Sequence, residues 1–229
     1  MRAAPVVYST VVYETVEYRD APQEGEAIDA EAVDVEPGEG FEVAGDTVLS
    51  GDSGTMSIEQ RQELNRAADY YLTLGDRAFR EGRYGDAVHY YAKAVEFSSE
   101  DGILYLILSD GLFATGDYHY GAFALRKALE LDPTLAESVV DKHSFYSDPL
   151  EFDRQLAVLE RYLEDHFEDD DARLVLAANY LFGTRPAAAV DLLDSPFSKA
   201  VASSPEGKLI HAAARAIQFG EPAPAAQET

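Results

Sequence analysis

Small residues and tyrosines return along this chain at a spacing of 34 positions, which limits the fold more than any other feature does. Residues 74–94, LGDRAFREGRYGDAVHYYAKA, put Gly75, Ala87 and Ala94 where two antiparallel helices must approach closely. Tyr71, Leu74, Tyr84 and Tyr91 fill the space between them. Adding 34 carries Tyr71 to Tyr105, Leu74 to Leu108, Gly75 to Ser109 and Gly82 to Gly116. The same step carries Tyr84 to Tyr118 and then Phe152, Ala87 to Gly121, and Ala94 to Ala128. Three steps from Gly75, Ala78, Ala87 and Tyr91 lie Ala177, Tyr180, Ala189 and Leu193. A period of this length in helix–turn–helix chemistry means stacked units, each burying a face only against its neighbours.

Helix boundaries are marked independently of the period. Ser57 with Gln60 is a capping-box signature ahead of a helix running to about Arg80. Asp132-Pro133 and Asp148-Pro149 each set a capping carboxylate before a proline at the first helical position, and Ser203-Ser204-Pro205-Glu206 does so for the last helix. Gly82 and Gly116 end helices and start tight turns. Residues 58–219 are therefore expected to hold roughly nine helices and no strand. The flanks differ. Residues 6–18, VVYSTVVYETVEY, have strand-like composition with no partner strand later in the chain. Residues 20–57 are acidic, contain no Lys or Arg, and are broken by Pro22, Pro37 and several glycines. Within 1–57 that stretch is expected to be a disordered linker. Residues 220–229, GEPAPAAQET, are expected to fray in the same way.

At 68–203 the chain resembles the tetratricopeptide repeat (TPR) family, with units near 68–101, 102–135, 136–169 and 170–203 and a capping helix at 204–219. The first two units match best and end in KALELDP at 127–133, as members commonly do. The third departs: His143 and Gln155 stand at small-residue positions, and Ser147-Asp148-Pro149 cuts the first helix short. In the fourth, Pro196 falls at a small-residue position. The resemblance implies an all-α, right-handed α-solenoid whose first helices line a concave groove holding a peptide or a partner helix.

The period itself names the residues of that face. Leu72, Leu106, Val140 and Leu174 form one row, Phe79, Phe113, Ser147 and Leu181 a second, and Asp76, Asp110, Ser144 and Ala178 lie between them. Arg80 is the cation nearby in sequence. An apolar floor with two carboxylates suits a protein or peptide partner that is apolar and carries a Lys or Arg. Two other readings share these rows: Leu72 and Phe79 are packed core, or residues 6–18 of the same chain fill the groove from a flexible tether. Family members that bind chaperones clamp a terminal carboxylate with Lys, Arg and Asn. Asp76 and Asp110 would repel such a carboxylate, so that mode is not expected here.

Charge and composition remove further classes. Lys and Arg total 18 against 43 Asp and Glu, a net charge of −25, which disfavours nucleic acid and anionic membrane surfaces. No apolar run approaches a membrane span and no leader follows Met1, so the default expectation is cytoplasmic, a matured exported chain being the alternative. There is no cysteine, and His89, His119, His143, His166 and His211 form no i,i+3 or i,i+4 pair. No metal, cofactor or catalytic residue is expected, and the protein is not expected to be an enzyme. The expected role is an adaptor or scaffold. Its alternatives are a structural subunit docking through residues 6–18 and, behind that, an accessory domain of an enzyme.

Overall fold

The computed structural model describes residues 57–138 and 140–220, and these are all-helical, with no strand among the described residues. Helix α1 (Ile58–Arg80) starts at Ser57, whose hydroxyl accepts from the Gln60 N–H at 3.1 Å while the Gln60 side chain accepts from the Ser57 N–H at 3.0 Å. The expected capping box is present. Helix α2 (Tyr84–Phe97) folds back on α1, and α3 (Gly102–Thr115) and α4 (Tyr118–Leu131) form a second hairpin. Gly82 (φ 73°) and Gly116 (φ 80°) make the turns in the left-handed region that other residues resist. Close approach within the first hairpin depends on Gly75, where a Cβ would lie 2.4 Å from the Tyr91 ring. One period later, Ser109 donates its hydroxyl to the Gly121 carbonyl at 2.9 Å, tying α3 to α4.

The third unit departs from the expected helix–turn–helix. Asp132-Pro133 opens a 3-10 turn (Pro133–Glu137) where the spacing predicts a first α-helix, and a second 3-10 turn covers Lys142–Phe145. The cause lies in local competition. Asp132 accepts from the Thr134 N–H at 3.0 Å, Asp141 from His143 at 3.1 Å and Asp148 from Leu150 at 3.0 Å. Each carboxylate starts a new turn before a continuous ladder can form. Regular structure resumes at Pro149 with α5 (Pro149–Asp165).

Without that helix, α6 (Asp170–Phe182) packs directly on α4, and a Cβ on Gly121 would touch Val175 at 3.6 Å. Asp169 caps α6 through the Ala172 N–H at 2.9 Å. Asp171 instead pairs with Arg126 of α4 at 2.5 Å. Helix α7 (Pro186–Asp194) follows, entered through Thr184 at φ 61°. Pro196 begins a short 3-10 turn, then come α8 (Lys199–Ser203) and α9 (Pro205–Phe219), capped by Ser204 through the Gly207 N–H. A continuous core runs through the units from Phe79 and Tyr91 past Leu125, Phe152 and Leu156 to Phe182 and Ile210. Among the described residues no helix is long and apolar enough to cross a membrane.

Candidate functional site

A pocket with about 840 Å³ of empty space, open solvent included, lies between α1, α3 and the 3-10 stretch. Helix α1 contributes Asp76, Phe79 and Arg80, α2 contributes Tyr91, and α3 contributes Ile103, Leu106, Ile107 and Asp110. The 3-10 stretch adds Leu135, Ser138, Val140, Lys142 and Phe145, and α6 adds Phe182. Ile103, Leu106, Ile107 and Val140 are only half-buried and form the apolar floor.

Of the residues expected on a groove, the structure brings Asp76, Phe79, Arg80, Leu106, Asp110 and Val140 to the pocket, Phe79 at 5% exposure being at the same time part of the packed core. It does not bring Phe113, Leu174 or Leu181, which are 2%, 1% and 5% exposed and belong to the core. Phe113 packs edge-on against Phe152 at 6.0 Å, and α6, carrying Leu174 and Leu181, is held on several sides by α4, α5, α7 and α9. Leu72 is half-buried against the core and does not line the pocket. Ser144 and Ser147 fall outside any helical row, because their segment is not an α-helix.

That segment closes one end of the pocket against α1. Ser147 donates its hydroxyl to the Arg80 carbonyl. The Tyr146 ring packs edge-on against Phe79 at 4.9 Å, and its hydroxyl donates to Gln155 at 2.8 Å. Burial, followed by the nearby Asp110 charge, pushes the Tyr146 phenol well above its ordinary range, so it stays a neutral donor.

The charges differ from the expected pair of free carboxylates. Lys142 points inward, donates to Asp110 and to Asn179 Oδ1 at 3.0 Å, and lies 5.1 Å from the Phe182 ring centre. The Lys142 and Asp110 side chains are only 5% and 13% exposed, so each charge compensates the burial of the other. Desolvation pushes the Asp110 carboxyl up, against the opposing pull of the Lys142 charge and hydrogen bond. Burial also pushes Asp76 up, opposed by the Tyr91 hydroxyl, which donates to it at 3.0 Å, and by the Arg80 charge. Among the described residues the buried Ser138 hydroxyl in the lining has no hydrogen-bond partner, an arrangement proteins usually avoid. Lys142 was absent from the expected site, yet the period contains its signal. It stands in a row otherwise made of Leu74, Leu108 and Leu176.

Other polar clusters are local. His143 bridges Asp141 at 2.6 Å and Asp153 at 3.4 Å beside the Phe152 ring, which accounts for a histidine at a small-residue position. Among the described residues no group of three or more His, Cys, Asp or Glu is arranged to hold a metal ion. The pocket offers apolar surface, a carboxylate at Asp76 and the Ser138 hydroxyl. A scan against family models matched none, and a search of the curated proteins found no match.

Proposed function

We propose that the protein is a non-enzymatic interaction adaptor, a TPR-like solenoid that binds a partner segment in the pocket between α1, α3 and the 3-10 stretch. The observation that carries this reading is the half-buried apolar floor of Ile103, Leu106 and Ile107, which lines the pocket. Concave sites with a mostly apolar lining and few polar groups are where proteins hold ligands. Because Lys142 compensates Asp110, Asp76 remains as the carboxylate able to meet a cation, so the fitting segment is apolar with one basic residue. First helices of successive units supply most of the α-helical lining, in keeping with the concave face that the resemblance implies.

The test is capture of partners from the native cell extract with the intact chain and with Leu106→Gln or Ile107→Thr, each first shown folded by circular dichroism. Partners lost with both pocket variants, and retained by a variant at the exposed Tyr120, are the expected result. Unchanged partners would remove the pocket as the binding place.

A further inference from the structure

Asp76 and Asp110 hold the same position in successive units, 34 residues apart, and both line the pocket. Their surroundings differ in one respect. Asp110 is met by Lys142, whose ammonium also donates to Asn179 Oδ1 and lies 5.1 Å from the Phe182 ring centre. Asp76 would find its counterpart one period before Lys142, and the residue there is Leu108. The half-buried Asp76 accepts from the Tyr91 hydroxyl through Oδ1 at 3.0 Å and has the Arg80 charge nearby. Among the described residues no cation donates a hydrogen bond to it. A carboxylate drawn out of water in this way is stabilised by a cation placed directly on it.

The rest of the lining sets what can carry that charge. Ile103, Leu106, Ile107 and Val140 make an aliphatic floor, which suits a run of methylene groups ending in a cation. The empty space, about 840 Å³ with open solvent included, has room for one such side chain rather than for a length of peptide. Because Tyr91 already uses Oδ1, a guanidinium fork would have to share that oxygen, whereas the compact ammonium needs only Oδ2. The buried Ser138 hydroxyl, with no hydrogen-bond partner among the described residues, is a further acceptor in the same lining.

From these observations we infer that the pocket receives one alkylammonium group, the side chain of a lysine in the partner segment, which answers Asp76 as Lys142 answers Asp110. The inference rests on the binding role proposed above and names the group that enters.

The test titrates hexylamine, hexanol, hexanoate and pentylguanidine, which have similar apolar lengths, into the intact chain. The methyl groups of Ile103, Leu106 and Ile107 are observed by NMR, with the buried Ile210 as reference. Hexylamine is expected to shift the three pocket methyls with a Kd of about 1 mM and to leave Ile210 unmoved. It should bind about tenfold more tightly than hexanol, because hydrogen bonds between charged groups are the stronger kind. Pentylguanidine should be weaker than hexylamine, and hexanoate should not bind. Asp76→Asn, which keeps an acceptor for Tyr91, should remove the advantage of hexylamine over hexanol. Glu63→Gln, exposed on the same helix, should leave that advantage in place, which separates the site from the net charge of −25.

Hexanol or hexanoate equal to hexylamine, a tighter pentylguanidine, or an advantage that survives Asp76→Asn would each overturn the inference. Should Asp76→Asn fail to fold, the ranking in the intact chain decides alone. Unmoved pocket methyls with every probe would also overturn it, and partners still lost in Leu106→Gln would then leave the proposed function standing. Hexylamine bound in the pocket while Leu106→Gln retains its partners would overturn the partner's lysine as the source, and the proposed function with it.

Discussion

Hairpins α1–α2 and α3–α4 and the stretch from Pro133 to Pro149 lie on one 34-residue spacing and end in opposite states. In the hairpins each periodic position does one packing task. Gly75 admits the Tyr91 ring, Ser109 bonds to the Gly121 carbonyl, and Gly82 and Gly116 turn the chain. One period on, the position of Gly75 and Ser109 carries His143 and that of Gly82 and Gly116 carries Leu150, and capping aspartates break the ladder between Pro133 and Pro149 into short turns. Regular units bury their apolar rows against one another. The irregular unit leaves part of such a row, Ile103, Leu106 and Ile107, facing a pocket with a charged pair at its wall.

The largest effect is expected where the irregular stretch is pinned. Lys142→Met leaves Asp110 buried without its cation and should lower stability by about 3–5 kcal/mol. Denaturant melts of the single variants and of Lys142→Met with Asp110→Leu measure it. The double variant is expected to recover wild-type stability or exceed it by about 1–4 kcal/mol. Asp110 also sets a pH sign. Its folded-state carboxyl is already raised by burial, and loss of Lys142 raises it further. The folded state then holds a proton that the unfolded state releases, so stability falls as pH rises through Asp110's raised folded range. The deficit of Lys142→Met should be smallest in acid, below the ordinary carboxylate range, and full above the raised value.

On the regular side, Gly75→Ala drives a methyl into the Tyr91 ring and should lower stability by about 1–3 kcal/mol, read from the same melts. A smaller effect of opposite sign is expected at Thr184, three periods after Gly82 and at φ 61°. A β-branched residue there holds a backbone that costs about 1–2 kcal/mol. Thr184→Gly should therefore stabilise by up to about 1 kcal/mol, part of the gain being lost to glycine's entropy. Smallest is Ser147→Ala, which removes one bond to the Arg80 carbonyl and should cost about 0.5–1 kcal/mol. Faster hydrogen exchange confined to 142–148 would locate it.

Much of this arrangement was legible in the chain itself. The Ser57 capping box, the Asp148-Pro149 and Ser204-Pro205 starts and the glycine turns are local chemistry, and local chemistry is written in adjacent residues. The period placed Asp76, Phe79, Leu106 and Asp110 on one face, and they share the pocket with the neighbouring Arg80. It did not separate pocket from core, since periodicity says that Phe113, Leu174 and Leu181 point inward but not what stands opposite them. Asp132-Pro133 was a correct turn start attached to the wrong helix type, because the choice between 3-10 and α depends on the competing caps at Asp141 and Asp148. Lys142 was missed because its partners, Asp110 and Asn179, are brought to it only by tertiary packing. The expectations for residues 1–56 and 221–229 lie outside the described residues.

The central claim, that the broken third unit creates the place where an apolar segment binds, is tested most directly by site-specific photocross-linking. Benzoylphenylalanine at Ile107, in the pocket floor, is compared with the same group at Tyr120, which is 67% exposed on α4. Irradiation in the native cell extract should yield adducts from position 107 that map by mass spectrometry to apolar segments and diminish in Lys142→Met with Asp110→Leu if the pinned stretch shapes the site. Adducts from Tyr120 with none from position 107 would contradict the account.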